Sequence, residues 1–217
     1  MKFNFRTMPS LVAASSVLAA ASCVVACSPA LAAIDVGGVE FDDAAHVAGR
    51  SLKLNGGGIS MRLIFKVYAM GLYLLDRRRT AEDVLASEGP RRLMIAMLRD
   101  VSGQEFDEAV MRSMADKDDK SDPDRDSQAR IAGQMAQLVR AITSQPGGLR
   151  KGDLLTLDWV PGTGTVVELN RKPLTEPLRD IAFYNALLGI WLGDKPVDPL
   201  LKTRLLGRST EMRAAAN

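Results

Sequence analysis

Arg62, Lys66 and Tyr68 fall at even spacing inside the apolar run from Ile59 to Leu75. A strand over that run places them on one face with Ser60, Ile64 and Met70, while Met61, Leu63, Phe65, Val67, Ala69 and Tyr73 form the other. A guanidinium and a phenol set among apolar side chains can hold a carboxylate while the neighbours cover a hydrocarbon body. The competing reading is a strand whose polar face meets water. Little else in the chain offers chemistry. His46 is the single histidine and reads as a surface or hydrogen-bonded ring rather than a general base. A Ser-His-Asp triad would have to recruit it, and no Gly-x-Ser-x-Gly elbow accompanies it.

Metal and cofactor chemistry is not expected. With one His, and with Cys23 and Cys27 both near the N-terminus, zinc and iron sites of ordinary ligand type lack donors. The Asp-rich segment 116–126 lacks the central Gly and terminal Glu of a calcium loop, so it reads as a solvated connection between helices. Pro161-Gly162-Thr163-Gly164 is Gly-rich but has no following Lys-Ser/Thr and joins two strands, so it reads as a turn rather than a phosphate cradle.

Residues 1–32 stand apart from the rest. Lys2 and Arg6 precede the apolar run Leu11 to Ala26, with no acidic residue before Asp35. This is the pattern of a secretory signal peptide, with Ala30-Leu31-Ala32 as the cleavage site and Ala33 as the mature start. The apolar run is shorter than the about 20 residues that span a bilayer. Val24-Val25-Ala26 ahead of Cys27 also fits a lipoprotein signal, so a lipid anchor at Cys27 is the alternative. The expected location is periplasmic or secreted. A chain starting at Ala33 has no cysteine and therefore no disulfide. It also loses two cations from the total of 28, leaving basic and acidic residues equal at 26. Nucleic acid is excluded as a charge-driven partner.

The full chain, 47% hydrophobic and 25% charged, has the composition of a globular protein with a sizeable core, and 33–217 reads as a single domain. Strands are expected over Val36 to Phe41, Arg50 to Leu54 and the long run Ile59 to Leu75, with the Gly56-Gly57-Gly58 triplet as a break. Thr80 caps a short helix ending near Ser87, and a strand follows over Arg92 to Leu98. Ser102 and Glu105 form a capping box for a helix carrying Phe106 and Val110. A further helix over Arg125 to Thr143 presents Ile131, Met135, Leu138 and Ile142 as a core stripe. A hairpin over Asp153 to Leu169 follows, then a helix opened by Pro177 and running through Trp191, then a short one over Pro199 to Leu206. This order lacks the regular alternation of a parallel doubly wound sheet. It predicts an α+β fold, a large antiparallel sheet with helices on one face.

Five segments carry a resemblance. Leu54-Asn55-Gly56-Gly57-Gly58-Ile59, Phe65 to Leu74 (FKVYAMGLYL), Met97 to Ser102 (MLRDVS), Pro161 to Thr165 (PGTGT) and Ile190 to Val197 (IWLGDKPV) together are similar to the bacterial chalcone isomerase-like proteins, in order and across the chain from 33 on. The resemblance implies an open-faced β-sandwich with a ligand cleft between sheet and helices. It also implies two opposed functions, because enzymes of this superfamily cyclise a chalcone to a flavanone whereas non-catalytic relatives bind fatty acids. The enzymes' arginine falls on Ser60, the threonine on Tyr68, the tyrosine on Phe106, the asparagine on Ser113 and the last hydroxyl residue on Ile190. Phe106 and Ile190 offer no donor for the charge that develops in ring closure. Arg62, two residues beyond Ser60 on the same face, is a candidate replacement for the guanidinium.

The expected function is therefore an exported, non-catalytic binding protein for a fatty acid or similar amphipathic carboxylate. Arg62, Tyr68 and Ser60 would meet the head group, and Met70, Phe106, Ser113 and Ile190 the rest of the ligand. The alternatives are an intramolecular lyase or isomerase of chalcone isomerase type, and an envelope structural or assembly protein with a collapsed cleft.

Overall fold

The computed structural model describes residues 33–115 and 125–208. The signal and Cys27 readings, and most of the Asp-rich segment, lie outside them. Two short strands, β1 (Ala33–Asp35) and β2 (Glu40–Asp42), pair as a hairpin across Gly37 and Gly38, both at positive φ. Seven further strands form one antiparallel sheet in chain order: β3 (Ala44–Val47), β4 (Arg50–Arg62), β5 (Phe65–Leu74), β6 (Arg91–Met97), β7 (Leu154–Val160), β8 (Gly164–Leu169) and β9 (Lys172–Pro173). Between them run α1 (Ala81–Leu85), α2 (Gly103–Ala115) and α3 (Arg125–Thr143), and after them α4 (Ile181–Leu192) and α5 (Pro199–Leu205). The expected α+β class holds: a curled antiparallel sheet carries the helices on one side.

Local signals place most element ends. The Thr80 hydroxyl accepts from Asp83 N–H at 3.1 Å. Ser102 and Glu105 exchange bonds, with Ser102 N–H donating to Glu105 at 3.0 Å and Glu105 N–H to Ser102 Oγ at 3.2 Å, which is the reciprocal capping box. Helix α3 has the expected bounds, and Met135, Leu138 and Ile142 of its stripe are buried.

Four expectations are corrected. The run Ile59 to Leu75 is not one strand but the end of β4, a tight turn at Leu63 and Ile64, and β5. That turn has no Gly, Pro or Asn to announce it, and Leu63 takes φ 56°, a region bulky side chains rarely enter. The glycine triplet lies inside β4 rather than breaking it. A Cβ at Gly56 would come within 2.1 Å of Arg204 O, and one at Gly58 within 2.9 Å of the Leu201 side chain, so these glycines let α5 lie against the sheet. Helix α4 starts at Ile181 and not at Pro177, because the Asp180 carboxylate accepts from Ala182 N–H at 2.9 Å and caps it there. The expected strand Val36 to Phe41 is mostly a turn as well: residues 36–39 link β1 to β2, and only Glu40 and Phe41 belong to a strand.

Two bulges set which side chains face the helices. Register moves from Leu54↔Tyr73 to Gly56↔Leu72, leaving Asn55 as an extra residue in β4. The bulged Asn55 side chain donates to Leu205 O at 2.7 Å and Arg78 O at 2.9 Å, and accepts from Arg78 N–H at 2.6 Å. Beyond it Gly56, Gly58 and Ser60 face the helices, whereas Leu52 and Leu54 face the small core under β2 with Phe41 and Tyr73. The main core joins Leu72, Leu93 and Leu157 of the sheet to Leu138, Phe183 and Leu188 of α3 and α4.

Candidate functional site

Between the sheet and α2, α3 and α4 the main core does not close, and a cavity of about 480 Å³ remains. This lies within the range of about 300–1,000 Å³ typical of small-molecule sites. Its floor is Ile95 and Met97 from β6 with Leu155 and Leu157 from β7. Phe106, Val110 and Ser113 of α2 and Met135, Leu138 and Ile142 of α3 form the roof, and Leu187, Ile190 and Trp191 of α4 one wall. The i, i+3 or i+4 spacing on each helix is what turns a single stripe onto the space.

Polar groups gather at the β5 end. Tyr68 and Ser60 stand directly opposite each other on β5 and β4, which the second bulge, at Val67, brings into line. Trp191 Nε1–H donates to Tyr68 Oη at 2.8 Å. Because that oxygen accepts from the indole, its own proton is available to a second acceptor. Burial pushes the Tyr68 phenol up from its ordinary 10.0, hydrogen bonding with Ser60 and Trp191 opposes this, and the Asp198 charge adds to the rise. The group is therefore a neutral donor throughout the physiological range.

The rim carries the charge. Arg62, Arg99, Arg112 and Lys195 line the opening against a single carboxylate, Glu105. Glu105 is taken up by Arg99 at 3.2 Å, and the Ser102 N–H and Arg99 hold its carboxyl below the usual range. Arg112 lies 3.7 Å from Glu108 on its own helix. Arg62 and Lys195 form no ion pair among the described residues.

Of the residues expected from sequence, Ser60, Arg62, Tyr68, Phe106, Ser113 and Ile190 all line this space. Arg62 sits at the exposed rim and reaches the cleft from β4, across the hairpin from Tyr68 rather than along one strand with it. The Ser113 hydroxyl already donates to Val110 O at 2.8 Å. Met70 does not line the cavity: it shares the face of Tyr68 but lies farther along β5, paired with Gly58 and Ile95 and fully buried. The helices cover that stretch, so alternation alone puts it on the right side but not at the opening. His46 is exposed on β3, opposite Ser51 and away from the lining. Sequence reasoning left Trp191, Arg99 and Lys195 without a role, although all three stand in segments that carry the family resemblance. Among the described residues no cluster of His, Cys, Asp or Glu is arranged to hold a metal ion.

Residues 33–207 match the family described as chalcone isomerase-like. The chain belongs to the chalcone isomerase-like family. A comparison with curated proteins found no match. Among solved structures, the crystal structure of a fatty-acid binding protein from Arabidopsis thaliana superposes with a TM-score of 0.59 at 13% identity, covering 81% of this chain and 96% of that one. At that identity the likeness concerns the fold. Phe106 and Ile190, which the resemblance sets opposite hydroxyl residues of the enzymes, have hydrocarbon side chains and line the cleft.

All three tyrosines of the chain are displaced in the same direction. Tyr73 is pushed up to about 12, chiefly by burial, and burial also raises Tyr68 and Tyr184. The unfolded chain releases these protons first, so their contribution to stability is complete below pH 10 and is lost as the pH climbs through the folded values. Ultraviolet titration is expected to show native tyrosinate forming only above pH 10.0, the ordinary phenol value. The urea midpoint should fall over the same interval. Half-ionised tyrosine in the folded protein at pH 10 would contradict the burial of these rings.

Proposed function

We infer that this protein is an exported, non-catalytic binding protein that holds a fatty acid, or a like amphipathic carboxylate, in the cleft between sheet and helices. The observation that carries this reading is the separation of chemistry along the cavity: a hydrocarbon interior closed by α2, α3 and α4, and unpaired cations at one end. In this reading the carboxylate sits between the Tyr68 hydroxyl and Arg62, with Ser60 beside them, and the chain runs over Ile95, Met97, Leu155 and Leu157. The fatty-acid binding description of the structural neighbour supports the ligand class. Phe106 and Ile190, which supply no hydrogen to a developing oxyanion, support binding over ring closure. Export through residues 1–32, to the periplasm or the outside, is part of the proposal. The intact mass of the chain isolated from its host reads cleavage before Ala33, or a lipid on Cys27.

The experiment is a calorimetric titration of the delipidated protein with palmitate, beside the Arg62→Ala variant. Loss of one charge-assisted contact at an exposed rim is expected to weaken binding about tenfold. Unchanged affinity in Arg62→Ala would remove Arg62 from the head-group site, and no palmitate binding by the parent protein would overturn the carrier reading.

A further inference from the structure

The tip of the β4–β5 hairpin is apolar and stands in solvent. Leu63 is 91% exposed, Ile64 82%, Phe65 62% and Met61 44%. Four large hydrophobic side chains in five consecutive residues are not the scattered single exposures of an ordinary surface. Leu63 moreover sits at φ 56°, where Gly or Asn is the favoured residue. Neither core packing nor backbone preference therefore accounts for leucine at this position. On either side stand Arg62 and Lys66, both exposed and neither in an ion pair among the described residues.

This tip adjoins the opening of the cleft. Met61 and Arg62 belong to both. The Asp198 carboxylate accepts from Met61 N–H at 3.4 Å and from Leu200 N–H at 3.0 Å, which ties the hairpin base to the start of α5. The apolar rim thereby extends to Val197, 51% exposed and itself lining the cleft, and to Leu200, 66% exposed.

We propose that the β4–β5 hairpin tip inserts into the interfacial layer of an anionic lipid bilayer and turns the mouth of the cleft toward the membrane. A narrow apolar point flanked by long cationic side chains suits that medium, since hydrocarbon enters below the head groups while Arg62 and Lys66 remain among phosphates. Lys195 on the rim, in no ion pair among the described residues, adds to the attraction. The docking stands on the hairpin alone; its use for passing a fatty acid between bilayer and cleft rests on the carrier reading above.

The test is co-sedimentation with phosphatidylcholine vesicles, with and without phosphatidylglycerol, using the processed chain as isolated from its host and the double variant Leu63→Asn, Ile64→Ser. Neither altered residue lines the cleft, and Asn suits the backbone at 63. The parent protein is expected to partition onto the anionic vesicles, less onto the neutral ones, and less again at high salt. The double variant should lose partitioning by about tenfold or more and keep its palmitate affinity in vesicle-free solution. Equal partitioning of the two proteins, or none by the parent, overturns the proposal. So does a concentration-dependent dimer that the double variant abolishes, which would give the tip to a second copy of the chain. Vesicle binding without palmitate binding upholds the docking and removes the carrier role; palmitate binding without vesicle binding does the reverse.

Discussion

Val110→Trp is expected to lower palmitate affinity by about two orders of magnitude while the protein remains folded. Val110 is buried on α2, 8% exposed, and faces the cavity beside Phe106. An indole at this position grows into the open space rather than into packed neighbours, so the usual overpacking cost of about 1–3 kcal/mol should be largely avoided. The ligand loses the space instead. Excluding some four methylenes at about 0.8 kcal/mol each removes roughly 3 kcal/mol of binding free energy, and each 1.4 kcal/mol or so is a factor of ten. The palmitate titration reads the loss, and circular dichroism reads the fold. Full affinity in a folded Val110→Trp protein would place the ligand somewhere other than this cleft.

Arg91→Ala is expected to produce the largest loss of stability of any single change away from the cleft. Arg91 is 1% exposed although it carries a guanidinium. Its Nη1 donates to Val84 O at 3.1 Å, Leu85 O at 3.4 Å and Asn185 Oδ1 at 3.2 Å, and its guanidinium lies 5.1 Å from the centre of the Tyr184 ring. No carboxylate pairs with it among the described residues, and burial draws its pKa down. The side chain thus joins the last carbonyls of α1 to β6 and to α4, the helix that carries Ile190 and Trp191 into the site. Truncation to Ala takes the guanidinium donor from these acceptors, although Val84 O keeps its bond from Ser87 N–H at 3.2 Å, and opens a void. Together these cost about 3–5 kcal/mol, a large part of a domain's usual stability of about 5–15 kcal/mol. Arg91→Met keeps the volume and relieves the buried charge, so it should lose less. Urea unfolding compares the three proteins. An Ala variant within about 1 kcal/mol of the parent would show that the guanidinium does not hold these elements together.

What the sequence disclosed, and what it did not, follows from the range of the forces involved. Helix α3 and the Ser102–Glu105 box were legible because a stripe of apolar residues and a reciprocal cap are fixed within a few residues of the chain. The Leu63–Ile64 turn was not, since its residue types contradict its backbone, and the reason for them lies outside the hairpin. The purpose of the glycines at 56 and 58, room for α5, has no local signal because it depends on a helix some 150 residues later. Phe106, Ser113 and Ile190 are reached only through family resemblance, whereas Arg62, Tyr68 and Ser60 already share a face by alternation. Alternation failed at Met70, which shows the side of a strand but not where the layer above it opens. Trp191, whose indole completes the Tyr68 hydrogen bond, had no local signal beyond its place in a family segment.

The central claim is that the cleft takes a hydrocarbon chain and its rim takes a negative head group. Titrating the delipidated protein with palmitate and then with hexadecanol, of the same chain length, tests both halves at once. The account predicts saturable binding of one palmitate per chain and markedly weaker binding of the alcohol. Equal affinity for the two would contradict the head-group site, and no saturable binding of either would contradict the cleft as a lipid site.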